Sequence, residues 1–191
     1  MRSRLILLST IAVALSFGVP ALAQQRPAPG TPTSAATTLS RADLDFVKKA
    51  AEGGMAEVAL GKLAQQNAES PQVKQFGAKM EQDHGTANAQ LTAIATGKGA
   101  TMPQNLDQKD MRAQERLSKL HGAAFDREYM RMMVEDHDKD LKEFQKAAQS
   151  THDQEIRNFA QQTASVVQEH DQLAHQVMQS ISAAGSSRQP R

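Results

Sequence analysis

The 191-residue sequence contains no cysteine and no tryptophan, and aromatic residues make up only 4% of it. The lack of cysteine excludes disulfide bonds, thiolate metal sites and a lipid-modified cysteine anchor. Basic and acidic residues are also nearly equal in number, 22 and 21. This balance argues against nucleic acid as a partner. No catalytic triad pattern or phosphate-binding loop is present, and the sequence therefore favours a role without catalysis.

Long hydrophobic runs are also scarce, and the clearest one lies at the start of the chain. Arg2 and Arg4 precede an apolar run at residues 5–19, and small residues follow at Ala21 and Ala23. The run is shorter than the roughly 20 residues that span a bilayer, so residues 1–23 are predicted to be a cleaved secretory signal peptide rather than an uncleaved anchor. The mature protein is then expected in the periplasm, free or peripheral to the outer membrane, with an envelope protein or a second copy as partner and no transmembrane span.

The remaining sequence reads as one helical domain between two polar ends. Residues 24–40, rich in proline, alanine and threonine, and residues 184–191 are predicted to be a disordered spacer and tail. Residues 41–183 carry apolar side chains at spacings of three, four and seven, which predicts four long helices. Tight turns near Ser70 and Thr151 make two antiparallel hairpins, and the connection at 97–122 is long enough to cross the bundle with a short extra helix. The predicted fold is all-α, a ferritin-like four-helix bundle, with a plain up-down bundle as the alternative.

One stretch of the sequence occurs twice. Residues 76–91 (FGAKMEQDHGTANAQL) align with residues 129–144 (YMRMMVEDHDKDLKEF) on a shared Asp-His pair. The alignment places Phe76 on Tyr129 and His84 on His137. Two similar helices, each with an acid and a histidine at mid-length, indicate a bundle built around a polar centre.

Helical periodicity directs at least one acid or histidine of each long helix toward the interior. The candidate metal-ligating residues are Glu57, Asp83, His84, Asp136, His137 and His170. Three of them, Glu57, His84 and His137, lie 13 or 14 residues from a turn and hence at one level. His170 lies 19 residues beyond its turn, which predicts an offset of about 7 Å at 1.5 Å per residue.

Carboxylates and imidazoles that converge in a bundle suit a divalent metal such as Fe, Mn, Zn or Cu. The di-iron pattern Glu-x-x-His occurs once, at Glu81 and His84, with Glu81 pointing away from the apolar stripe, so a complete di-iron oxidase site is not supported. A buried hydrogen-bond network without metal would also satisfy these groups. The sequence leaves both interpretations open: a non-catalytic binding or structural bundle of the cell envelope, or a metal-binding bundle.

Four stretches carry a resemblance to a known family: residues 46–58 (FVKKAAEGGMAEV), 80–84 (MEQDH), 135–137 (EDH) and 169–170 (EH). Together they resemble the bacterial family called domain of unknown function 4142, over roughly residues 41–182. The resemblance implies an exported, periplasmic or outer-membrane protein with a ferritin-like four-helix bundle. It implies no activity, and the incomplete Glu-x-x-His pattern means that ferroxidase chemistry does not carry over.

Overall fold

The computed structural model describes residues 38–187, which form five α-helices and no β-strand. The helices are α1 (Arg41–Asn67), α2 (Pro71–Gly97), α3 (Gln108–Ser118), α4 (Gly122–Ser150) and α5 (Gln154–Ser187). The predicted signal peptide, most of the predicted spacer and residues 188–191 lie outside this range. Within it, every helix is too short or too polar to cross a membrane.

Local sequence signals explain where the helices begin. The Ser40 hydroxyl accepts a hydrogen bond from the Asp43 amide at 3.1 Å, and the Asp107 carboxylate does the same for the Asp110 amide at 2.8 Å. These side chains satisfy amide groups that have no partner within the first turn of a helix. Pro71 occupies the first turn of α2, where its missing N–H costs nothing.

The two hairpins are antiparallel, as predicted. In the first, Glu57 contacts His84 while Gly61 contacts Gly77, so partners advance along α1 as they recede along α2. A Cβ atom on Gly61 would lie 2.5 Å from the Gly77 carbonyl oxygen, which shows that α1 and α2 touch backbone to backbone. In the second hairpin, α4 and α5 pack together over most of their length.

Equivalent residues of the repeated stretch meet across the bundle. The Phe76 and Tyr129 rings are 6.2 Å apart between centroids, and the His84 and His137 rings are 5.8 Å apart. Because both pairs advance together, α2 and α4 run in the same direction. The chain must therefore return along the bundle between them, and the segment that contains α3 does so.

Two apolar clusters fill the interior, one on each side of a polar layer. Phe76, Met80 and Tyr129 belong to one cluster, and Leu91 and Phe144 belong to the other. The polar layer between them is consequently shielded from water along the bundle axis.

The ends of the bundle differ from the predicted boundaries. Leu39, placed in the spacer by its sequence neighbours, is buried against the second apolar cluster because its side chain is apolar, and the Thr38 amide donates to the Lys98 carbonyl at 3.1 Å. Helix α5 extends to Ser187, so it includes the first four residues of the predicted tail. Ala184 and Gly185 are small residues near the end of the helix, and the helix continues through both of them.

Candidate metal centre

Four polar side chains, one from each long helix, form the layer between the apolar clusters. Glu57, His84, His137 and His170 are 4%, 7%, 0% and 0% exposed. Each follows or precedes a buried apolar residue by three or four positions, which fixes it on the inner face of its helix. These neighbours are Leu60, Met80, Met133 and Val167. The sequence periodicity placed all four inward, and the structure brings them together.

The distances define a compact site. A Glu57 carboxylate oxygen, Oε2, lies 2.6 Å from Nε2 of His84, and the other oxygen lies 3.4 Å from Nε2 of His137. The centroids of the three imidazole rings are 5.3 to 5.8 Å apart. Each ring offers one nitrogen within 4.8 Å of the nitrogens from the other two, so the cluster could hold a metal ion.

Outer partners orient two of the rings. Nδ1 of His137 lies 2.9 Å from the Met133 carbonyl oxygen, and Nε2 of His170 lies 2.8 Å from the Asp83 carboxylate. Because both partners only accept hydrogen bonds, those nitrogens carry the protons, and the opposite nitrogen of each ring presents a lone pair. Asp83 is itself held by Lys79 at 2.8 Å. Such outer contacts are typical of histidines that ligate metals.

The layer concentrates the unsatisfied polar atoms of the interior. Seven buried side-chain nitrogen or oxygen atoms within residues 38–187 have no hydrogen-bond partner. Five of them lie in this layer: both Glu57 carboxylate oxygens, Nε2 of His84, Nε2 of His137 and Nδ1 of His170. The 2.6 Å contact between Glu57 and His84 is short enough for an ion pair, but its direction is not that of a hydrogen bond. Buried polar atoms are rarely left in this state.

The layer shifts the pKa values of its own members. Burial raises the pKa of the Glu57 carboxyl, but His84 and His137 outweigh burial and hold that pKa well below its usual range. Burial lowers the pKa of His84, whereas the Glu57 carboxylate raises it more. Burial lowers the pKa of His170 to about 4. Without metal, the layer therefore contains an ionised Glu57 beside a His84 that favours its proton, and a neutral His170.

The other two predicted ligands lie outside this group. Asp83 contacts His170 from the seam between α2 and α5. Asp136 was predicted to point inward, yet its side chain is 31% exposed and lies 3.8 Å from Lys139. It faces a cleft between α1, α3 and α4, where the short helix α3 leaves the bundle partly uncovered.

The axial offset predicted for His170 does not separate its ring from the other two, since its centroid lies 5.3 Å from that of His84 and 5.5 Å from that of His137. Counting from the turn ignored where the helices end. His137 lies 13 residues before the end of α4 at Ser150, and His170 lies 16 residues after the start of α5 at Gln154. The remaining difference of three residues is about 4.5 Å along the helix axis, so the offset is smaller than the one predicted.

Two further features were not predicted from the sequence. Asp140 lines the cleft together with Glu57, and burial, followed by the Glu57 charge, raises its pKa to about 8. The signal that could have revealed it is its position three residues after His137. Asp138, Asp171 and His175 form a second group of potential ligands, of which Asp138 and His175 are exposed and Asp171 is partly buried.

Comparison with known proteins supports the fold. Residues 28–177 match the sequence model of a family described as Domain of unknown function (DUF4142). The chain is also similar to a crystal structure of a DUF305 fragment from Deinococcus radiodurans, with a TM-score of 0.65 and 13% identity over 73% of this chain and 97% of that one. At that identity the likeness concerns the fold alone. No curated protein matches the chain.

Proposed function

Since the chain belongs to the DUF4142 family, whose description assigns no function, we propose from the site itself that the protein binds one divalent transition-metal ion through Glu57, His84, His137 and His170. The family resemblance found in the sequence is confirmed by this match. The proposed role is one of binding rather than catalysis, because the sequence holds no catalytic triad pattern and no phosphate-binding loop.

The observation that carries the proposal is the orientation of His137. Its Nδ1 donates a hydrogen bond to the Met133 carbonyl at 2.9 Å, so Nε2 is the nitrogen that faces a Glu57 oxygen, at 3.4 Å. Two hydrogen-bond acceptors that face each other in a dry interior repel, unless a proton or a cation lies between them. A metal-free network can place one proton between Glu57 and His84, which are 2.6 Å apart, but the other Glu57 oxygen, Nε2 of His137 and Nδ1 of His170 still lack a partner. A single cation would satisfy them together.

The dimensions fit such a cation. Metal–nitrogen bonds to histidine are about 2.0–2.1 Å long. Three nitrogens no more than 4.8 Å apart reach that distance if each ring moves inward by at most about 0.7 Å. Imidazole and carboxylate donors suit Zn²⁺, Fe²⁺, Mn²⁺ or Cu²⁺, whereas Cu⁺ prefers the sulfur ligands that are not part of this layer. A carboxylate with three neutral imidazoles leaves one positive charge on a divalent ion, which is moderate for a buried site.

The direct test is elemental analysis of protein purified without chelator and without an affinity tag. We expect about one equivalent of transition metal per chain, lost on dialysis against a strong chelator. Thermal melting with and without added metal provides the second readout, because a ligand that binds only the folded state raises the melting temperature. Protein that is metal-free and whose melting is unchanged by Zn²⁺, Mn²⁺, Fe²⁺ and Cu²⁺ would refute the proposal.

We further propose that this binding takes place in the cell envelope. The support is in the sequence, where Arg2 and Arg4 precede an apolar run and a small-residue cleavage pattern. Two hairpins joined by a long crossover also support placing the bundle in the ferritin-like class. Cell fractionation, with mass determination of the mature N-terminus, tests the location: a start at Gln24 is expected, and retention of Met1 in the cytoplasmic fraction would contradict it.

A further inference from the structure

A second group of potential metal ligands, the outer group, consists of Asp138 on α4 with Asp171 and His175 on α5. One ligand atom from each of the three lies within 4.8 Å of the other two. Asp138 directly follows His137 in the chain, and Asp171 directly follows His170. A step of one residue turns a side chain by about 100° around its helix, so the two aspartates leave the inner face and meet at the seam between α4 and α5.

The least exposed member of the outer group has an oxygen without a partner. The Asp171 side chain is 16% exposed, and its Oδ1 atom is buried and accepts no hydrogen bond. Nε2 of His175, one turn later on α5, lies 3.7 Å from this oxygen, which is too long for a hydrogen bond. Buried oxygen atoms are rarely left in this state. A cation between Asp171 and His175 would satisfy both atoms.

Lysine and arginine side chains do not neutralise the outer group. Arg157 is the only lysine or arginine of α5, and it lies fourteen residues before Asp171. On α4, Lys139 pairs with an aspartate outside the group, at 3.8 Å. Within residues 38–187, neither Lys142 nor the Asp138 carboxylate takes part in an ion pair or a hydrogen bond. Two carboxylates and an imidazole therefore meet at the seam without a basic partner.

The donors of the outer group fit a divalent transition-metal ion such as Zn²⁺. The imidazole disfavours Mg²⁺ and Ca²⁺, which take oxygen ligands. Bonds from Zn²⁺ to nitrogen and oxygen are about 2.0–2.2 Å long. Three ligand atoms up to 4.8 Å apart reach one ion if each moves inward by at most about 0.8 Å. Asp138 and His175 are exposed and can make that movement by a change of side-chain rotamer.

We propose that Asp138, Asp171 and His175 form a second, solvent-facing site for a divalent transition-metal ion of the Zn²⁺ type. The site shares no ligand with the buried layer, and the inference does not rest on the proposed function. Three protein ligands leave the other positions around the ion to water, so binding is weaker than in the buried layer. The site should fill only when metal is added, and protein purified without added metal should carry no ion there.

The first test is calorimetric titration of the untagged protein with Zn²⁺ after removal of metal with a chelator. The wild type should bind about two equivalents, the second about 100-fold more weakly because its site has fewer protein ligands and is open to water. His175→Gln and Asp138→Asn, both at exposed residues, should lose the second equivalent and keep the first. His152→Gln, the same substitution at another exposed histidine, should keep both. A second equivalent that survives in His175→Gln or in Asp138→Asn would overturn the site.

The second test separates coordination from a loose attraction of cations to negative charge. Asp138→His removes the charge but supplies another ligand, so it should keep the second equivalent that Asp138→Asn loses. An equal loss in both variants would show that charge alone holds the ion, and the site would be wrong. Diffraction at the zinc absorption edge, from crystals soaked in Zn²⁺, should show an ion between Asp138, Asp171 and His175. No peak at that position would contradict the proposal.

The outcomes separate the outer group from the buried layer. If the wild type binds one equivalent of Zn²⁺ and Glu57→Gln weakens that binding, the second site is wrong and the proposed function stands. If it binds one equivalent that His175→Gln loses, the second site stands and the proposed function is wrong. If the wild type binds no Zn²⁺, both are wrong.

Discussion

Replacement of Glu57 by glutamine separates a metal site from a structural hydrogen-bond network, because the two interpretations predict different effects without metal. Glutamine has nearly the same shape as glutamate but carries no charge. Its amide can donate to the Nε2 lone pair of His137, which Glu57 cannot do, and its oxygen can accept from His84. The pKa of His84, which the Glu57 carboxylate raises, should fall, so His84 becomes neutral. In chelator, we expect the free energy of unfolding of Glu57→Gln to lie within about 1 kcal/mol of the wild-type value, because neutral partners replace an ion pair.

With metal present, the variant should lose most of its stabilisation. At a free metal concentration of 100 times the dissociation constant, binding stabilises the wild type by about 2.7 kcal/mol. For a chain of this size, that corresponds to a rise in melting temperature of about 5–11 °C. Loss of even an outer partner of a ligand weakens binding about 10- to 100-fold. A 100-fold loss for Glu57→Gln leaves about 0.4 kcal/mol at the same metal concentration, or about 1–2 °C.

The assay is thermal melting followed by circular dichroism, in chelator and in a metal buffer, for the wild type and Glu57→Gln. Glu52→Gln is the matched control, since it makes the same change five residues earlier on α1, at a carboxylate that pairs with Lys48 at 3.8 Å; it should keep the full metal-dependent rise. A Glu57→Gln variant with the wild-type rise would show that Glu57 does not ligate. A loss of about 3–5 kcal/mol in chelator would instead show that the Glu57 carboxylate stabilises the bundle as a buried ion pair.

Three further predictions follow from contacts around the layer. Asp83→Asn should weaken metal binding about 10- to 100-fold in a competition titration, because it loosens the orientation of His170 without removing a ligand; unchanged affinity would contradict the role of Asp83. Gly61→Ala should lower the free energy of unfolding by about 1–3 kcal/mol in urea melts, because its Cβ would meet the Gly77 carbonyl oxygen, whereas Gly53→Ala should raise it by up to about 1 kcal/mol; the same sign for both would refute the packing argument. Asp140→Asn should stabilise the metal-free protein at pH 8, and the gain should disappear as the pH falls toward 4. The folded-state pKa of Asp140, about 8, lies above its unfolded value of 3.8, so the wild type loses stability as the pH rises between them; a gain independent of pH would show that its carboxyl is not the cause.

The part of the site that follows from helical periodicity could be predicted from the sequence. Glu57, His84 and His137 lie at positions where apolar neighbours fix the inner face of a helix, and an angle of 100° per residue is enough to place them. Their common level followed from counting residues back to tight turns. The duplicated Asp-His pair indicated that both helices contribute to a polar centre. The two histidines, His84 and His137, do meet there, with ring centroids 5.8 Å apart.

The part that depends on contacts between helices could not be predicted. The level of His170 depends on where α5 starts and how it tilts, neither of which residue counting includes. The position of Asp136 on α4 predicts that its side chain points inward. Whether that side chain is buried depends on where α3 packs, and α3 leaves it in an open cleft. Asp140 was missed for the same reason, since its proximity to Glu57 is a relation between α4 and α1.

The division of the four ligands between the hairpins bears on what the metal does for the fold. Glu57 and His84 belong to the first hairpin, and His137 and His170 belong to the second. Each hairpin is closely packed within itself, down to backbone contact at Gly61, whereas grooves open along both seams between the hairpins. A bound cation would therefore join two units that hydrophobic contact alone joins less completely. Because ligands from both units must converge before the ion is held, the free energy of metal binding acts on the seam rather than on either hairpin, and a cell that supplies or withholds the ion would thereby control how firmly the two halves of the bundle are closed.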